Sequence, residues 1–106
     1  MSTDPSVRIE HDLLGDREVP AHVYYGVHTL RARENFPITG TPISIYPELI
    51  RALASIKQAA ALANHELGLL DERRCDAIVN ACRELQAGQL HDQFVVDVIQ
   101  GGAGTS

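Results

Sequence analysis

The clearest period in the chain begins at Pro47. Leu49, Leu53, Ile56, Ala60, Ala63 and Leu67 recur at steps of three and four, while Glu48, Arg51, Ser55, Gln58 and His65 fall on the other side. That is the spacing of one face of an α-helix, which turns once in roughly 3.6 residues. Proline is preorganised for a first helical position, and Gly68 marks the end. A second helix is predicted from Asp71, an N-cap type with Glu72 in the first turn; Cys75, Ile78, Val79, Cys82 and Leu85 form its stripe and Gly88 stops it. The short link Gly68 to Leu70 makes the pair an antiparallel helical hairpin.

Before Pro47 the pattern differs. Val7 and Ile9 alternate with Arg8 and Glu10, the period of a strand; Gly15-Asp16 is a turn signal and Pro20 closes the unit, so a short β-hairpin is expected. A helical turn or two is expected around Thr29 to Glu34, followed by an irregular connection at Pro37, Gly40 and Pro42. Near the other end, Val95, Val96, Val98 and Ile99 are β-branched, and the run from Phe94 to Ile99 leans extended. The predicted fold class is mainly α, with a short N-terminal β-hairpin and an antiparallel helical hairpin.

Composition narrows the function classes. The chain has 106 residues, 44% hydrophobic and 22% charged, which excludes disorder as the default. With 9 basic against 14 acidic residues the net charge is -5, Lys57 is the sole lysine, and Arg73-Arg74 is the densest basic pair. No basic stripe exists, so nucleic acid is not an expected partner. No apolar run approaches the roughly 18 residues of a membrane span, so no membrane partner is expected either. Met1 to Pro5 are polar and lack the apolar core of a secretory signal; with two cysteines, a reduced cytoplasmic protein is expected. There is no tryptophan, only five aromatics, and much of the apolar content is alanine, which buries little area. A core this thin implies apolar faces that need further sequence or partner subunits to cover them.

The chemistry-bearing residues are few. Cys75 and Cys82 lie two helical turns apart, about 10 Å along the axis, too far to pair with each other, and read as buried structural thiols. His65-Glu66 resembles the start of a zinc-protease helix, but Leu69 stands where the second histidine belongs. His91-Asp92 reads as an exposed loop pair, and no metal site is expected among His11, His22, His28, His65 and His91. The informative run is Gly101-Gly102-Ala103-Gly104-Thr105-Ser106. Its glycines permit unusual dihedrals and close approach of an anion to backbone N–H groups, and Thr105 and Ser106 add hydroxyl donors. It is not a P-loop, because Gly104 stands where the lysine belongs. On the residues alone the run fits a phosphate or carboxylate site and a terminal tail equally.

Two stretches together resemble the aspartase/fumarase superfamily. The first is Leu13-Leu14-Gly15, then Arg17-Glu18-Val19-Pro20-Ala21, Tyr24-Tyr25-Gly26-Val27-His28-Thr29-Leu30-Arg31-Ala32 and Glu34-Asn35-Phe36; the second is Asp92-Gln93-Phe94, Val96-Asp97-Val98 and Gln100 to Ser106. His28 and Ala103 follow the aspartase pattern, where fumarases usually carry glutamine and serine; Val95 departs from both, since a proline is usual there. The resemblance implies that residues 1–106 are the N-terminal domain of a longer, mainly helical lyase, ending within the glycine-rich loop, with a central helical bundle and a C-terminal domain beyond. It implies a homotetramer whose active sites each draw on three subunits, and reversible elimination of ammonia from L-aspartate to give fumarate, without a cofactor. It implies that Thr105 contacts the substrate carboxylate, that Gly102 and Gly104 shape the loop, and that Ser106 and Arg31 are further substrate-binding candidates. The family's base, a serine, lies farther downstream, so no catalytic residue is expected within this chain. Two alternatives stay open: a fumarase or other superfamily member, and a non-catalytic helical interaction module.

Overall fold

The structure, a computed structural model, describes residues 5–99. In chain order it contains strands β1 (Val7–Asp12) and β2 (Gly15–Pro20), helix α1 (Val27–Asn35), a 3-10 turn (Ile43–Ile45), helices α2 (Pro47–Glu66) and α3 (Glu72–Gln86), and a second 3-10 turn (His91–Gln93). The mainly α fold with one β-hairpin and one helical hairpin agrees with the sequence reading. Two compact units form. Among the described residues, one holds those up to Ile43 together with those from Gln93 to Ile99; the other is Ser44–Asp92.

In the first unit β1 and β2 pair antiparallel, with Val7 opposite Pro20 and Asp12 opposite Gly15. The turn falls at Leu13-Leu14, two residues earlier than expected. Asp12 causes the shift: its Oδ1 accepts from Leu14 N–H at 2.9 Å, an Asx turn, and Gly15 opens β2 with φ +119°. The alternation of β1 is present, but the polar set Arg8, Glu10 and Asp12 is the covered face, while Ile9 is 60% exposed. Helix α1 is longer than the turn or two expected, because a residue of β1 caps it, as described below. The extended run after Phe94 does not become a regular strand. It makes one antiparallel bridge, Pro42 to Asp97, flanked by Ile43 N–H to Val96 O and Val98 N–H to Thr41 O, both 2.9 Å. Pro42 has no N–H to donate, which limits the ladder.

In the second unit α2 and α3 pack antiparallel. At one end Cys75 Sγ donates to Ala61 O; at the other Gln86 Nε2 donates to Ser55 Oγ and Gln58 Oε1. Ala61, Cys75 and Val79 form the core with Leu70 against them. Asp71 caps α3 through Oδ2 and Arg74 N–H, and Gly68 and Gly88 take positive φ just beyond the two helix ends.

Two expectations are corrected here. The stripe Leu49, Leu53, Ile56 and Leu67 is not the buried face of α2; these residues are exposed, as are Ala60 and Ala63, and Ile50, Ala54 and Ala61 are buried instead. Alanines let α3 approach one side of α2 closely, and the polar side chains Ser55 and Gln58 are satisfied there by Gln86. His91 is not an exposed loop residue. It is half-buried, and its ring Nε2 lies 2.8 Å from Leu85 O, a carbonyl near the end of α3 that also accepts from Gly88 N–H at 3.1 Å. Cys75 and Cys82 are free and buried, as expected.

Candidate functional site

Alternate residues of a strand point to the same side, so β1 presents Arg8, Glu10 and Asp12 together. Arg8 donates from Nε to Glu10 Oε2 at 2.6 Å and from Nη1 to the carbonyls of Pro20 (2.8 Å) and Val23 (2.8 Å), with a longer bond to Ala21. Its Nη2 takes the Tyr25 carbonyl. A planar guanidinium carries five N–H donors, and here they gather the whole segment between β2 and Gly26. The second oxygen of Glu10, Oε1, accepts from Val27 N–H at 2.9 Å. This carboxylate therefore caps α1 in place of Gly26, which has no side chain to do so. Gly26 also makes room: a Cβ there would lie 2.8 Å from Glu10 Oε1. The Arg8 bond, and after it the Val27 amide, hold the Glu10 carboxyl below the usual range.

Arg31, the one predicted site residue within the described region, projects from α1 onto β1. Its Nε and Nη2 bind Asp12 Oδ2 (2.6 Å) and Oδ1 (2.9 Å) in a two-pronged pair, and Nη2 also reaches Gly15 O at 3.2 Å. The Asp12 side chain is only 6% exposed in this pair, and Arg31 keeps its carboxyl below the usual range. A second link, Arg17 Nη2 to Glu34 Oε2 at 2.6 Å, ties β2 to α1, lowering the pKa of Glu34 and raising that of Arg17. Arg31 Nη1 makes no hydrogen bond among the described residues.

The third feature is Asp97, 6% exposed inside the apolar run. Oδ2 accepts from Thr39 N–H (2.8 Å) and Gly40 N–H (2.9 Å), and Oδ1 accepts from Ile99 N–H (2.9 Å). The Thr39 hydroxyl lies 2.9 Å from both oxygens. The Ile99 amide first, then the Thr39 and Gly40 donors, keep Asp97 below the ordinary carboxylate range although burial pushes the other way. Close by in the same unit, Tyr24 N–H donates to Gln93 Oε1 at 2.8 Å. Gly102, Gly104, Thr105 and Ser106 lie outside the described residues. Sequence reasoning did not single out Arg8, Glu10, Asp12 or Asp97. A signal existed for Asp97: a lone acid in a β-branched apolar run requires donors. Among the described residues no group of three or more His, Cys, Asp or Glu is placed to hold a metal ion, and no helix is long and apolar enough to cross a membrane.

Comparison with known proteins places these features. A family profile described as Lyase matches residues 15–106. This chain belongs to that lyase family. Among curated relatives, the aspartate ammonia-lyase of Pseudomonas fluorescens is 59% identical over all 106 residues, and that of Escherichia coli strain K12 is 57% identical over 102 residues. The lyase chain described here spans 22% and 21% of the length of these two relatives. Among solved structures, a fumarate lyase:delta crystallin from Brucella melitensis, bound to cobalt, superimposes with a TM-score of 0.90 at 50% identity, covering 93% of this chain and 22% of that one. A class II fumarase from Schistosoma mansoni superimposes with a TM-score of 0.78 at 36% identity, covering 85% of this chain and 19% of that one. The lyase match includes Arg31, Asp97 and the glycine-rich run.

Proposed function

We propose that residues 1–106 are the N-terminal domain of an aspartate ammonia-lyase, a cytoplasmic homotetramer that reversibly converts L-aspartate to fumarate and ammonia. The observation that carries this reading is the 57–59% identity to aspartate ammonia-lyases over nearly the entire chain, against 36% to a class II fumarase. His28 and Ala103 support the same choice.

In this reading a base outside these residues takes the proton next to the β-carboxylate. Charge then builds on that carboxylate as an enediolate, and fixed donors around it lower the barrier as an oxyanion hole does. Thr105 supplies a hydroxyl, Gly102 and Gly104 leave loop amides accessible, and Ser106 lies beside Thr105 in sequence as a further donor. Arg31 adds positive charge: two of its nitrogens are engaged with Asp12 and Gly15, and Nη1 is left to meet a carboxylate.

The test is made on a full-length polypeptide carrying these 106 residues. It is expected to release ammonia from L-aspartate with formation of fumarate. Hydration of fumarate to malate without ammonia release would reassign it to the fumarase side of the superfamily.

A further inference from the structure

We propose that the exposed stripe of α2 formed by Leu49, Leu53, Ile56, Ala60, Ala63 and Leu67 is a docking seam for one further α-helix, supplied by the same polypeptide from outside these 106 residues. The inference rests on the reading of the chain as part of a longer lyase.

The spacing names the kind of occupant. Successive members of the stripe are four, three, four, three and four residues apart, the a and d pattern of a coiled-coil heptad. On an α-helix they stay within a sector of about 80° and run about 27 Å along the axis. Apolar positions repeated in this way act as knobs for the holes of a second helix crossing at about 20°. An extended segment, with its period of two, cannot follow them. The stripe is not the face that α3 covers. Ile50, Ala54 and Ala61 lie roughly a third of a turn away and are buried, whereas all six members of the stripe are exposed. An exposed apolar surface of this extent marks a contact.

The source of the helix follows from length, charge and area. The residues outside the described range number four at one end and seven at the other, and seven residues of helix reach only about 10 Å. A second copy fits poorly. Antiparallel pairing would set Leu53 against Ala63 and Ile56 against Ala60, but its two-fold axis falls near position 58, so Lys57 would face Lys57 of the other copy. Parallel pairing would set Ala60 and Ala63 against themselves and leave the middle of the seam thin. A separate protein must offset the freedom lost on association with a seam one helix wide, far short of a standard interface of about 1,600 Å². A helix joined to the same chain is held at an effective concentration of about millimolar and escapes most of that cost. This chain spans 22% of the length of the Pseudomonas fluorescens relative, so proteins of this kind have length to supply it. The occupant has large apolar side chains opposite Ala60 and Ala63, and an acidic one beside Lys57, which makes no ion pair among the described residues.

The test is photo-crosslinking in the full-length polypeptide carrying Ile56→p-benzoyl-L-phenylalanine. Leu67→p-benzoyl-L-phenylalanine gives the same reading at the end of the stripe, where added bulk is easiest to house, should the first variant not fold. Irradiation is expected to leave most of the crosslinked product at the mass of a single chain on a denaturing gel. Peptide mapping is expected to place the attachment on one segment outside these 106 residues, with apolar positions three and four apart. A crosslink that doubles the mass overturns the proposal in favour of a second copy. Attachment to another protein, to residues within these 106, or to solvent alone overturns it as well. An ammonia-release assay on the unsubstituted polypeptide keeps the two readings apart. An intrachain crosslink in a protein inactive on L-aspartate rejects the substrate and supports the seam; an interchain crosslink in an active enzyme rejects the seam alone.

Discussion

At the residue scale, polar side chains hold the first unit together. Arg8 binds one carboxylate and four carbonyls, Arg31 grips Asp12, Arg17 reaches Glu34, and Glu10 caps α1. Each of these carboxyls titrates below its ordinary value in the folded chain. The sign of the consequence follows. A depressed folded pKa contributes stability that is present above the unfolded value, about 4, and is lost as pH falls through the folded value. Thermal unfolding midpoints are therefore expected to be level above about pH 5 and to drop below about pH 4, and Asp12→Asn is expected to flatten part of that drop. Midpoints unchanged down to pH 3, or an unaltered profile in the variant, would contradict the assignment. Little of this was legible beforehand. A strand alternation shows that two faces differ, but not that the charged face is covered, because the carbonyls that Arg8 gathers and the arginine that pairs with Asp12 lie 12 to 19 residues away.

At the element scale the helices were legible because their signals are local. Pro47, Asp71, Gly68 and Gly88 bound α2 and α3 within a residue or two of the expected ends. What local signals could not give was the face. Helix α2 is apolar on more than one side, so the choice falls to whichever side a neighbour can approach closely, and that is the side of Ile50, Ala54 and Ala61. In α3 most of the stripe was read correctly: Cys75, Val79 and Cys82 are buried and Leu85 is half-buried, but Ile78 is exposed. Val79 is 7% exposed at the centre of the helical hairpin. Val79→Ala is expected to cost about 1–2 kcal/mol in chemical denaturation, from lost burial plus the cavity left behind. A change under about 0.3 kcal/mol would mean that this cluster does not hold α2 to α3.

At the scale of the whole molecule, the thin core foreseen from composition is seen in what stays exposed: Leu49, Leu53, Ile56 and Leu67, at 45%, 41%, 63% and 71%. The 106-residue chain by itself is expected to bind a hydrophobic dye such as ANS through these residues, and to release no ammonia from L-aspartate. Enzyme-like turnover by the chain alone would contradict the proposed division of labour, in which the base lies elsewhere. The proposed carboxylate site rests on a motif, Gly101 to Ser106, which by itself fits a terminal tail equally and lies outside the described residues; the donors around Asp97 come largely from Thr39 and Gly40, far off in the sequence, and were not legible. The measurement that bears most directly on the account is the steady-state rate of ammonia release from L-aspartate by full-length Thr105→Ala. A fall in kcat/KM of order 10²-fold or more, with folding and assembly intact, is the result expected of a lost oxyanion-type donor. A rate equal to that of the unsubstituted enzyme would contradict it.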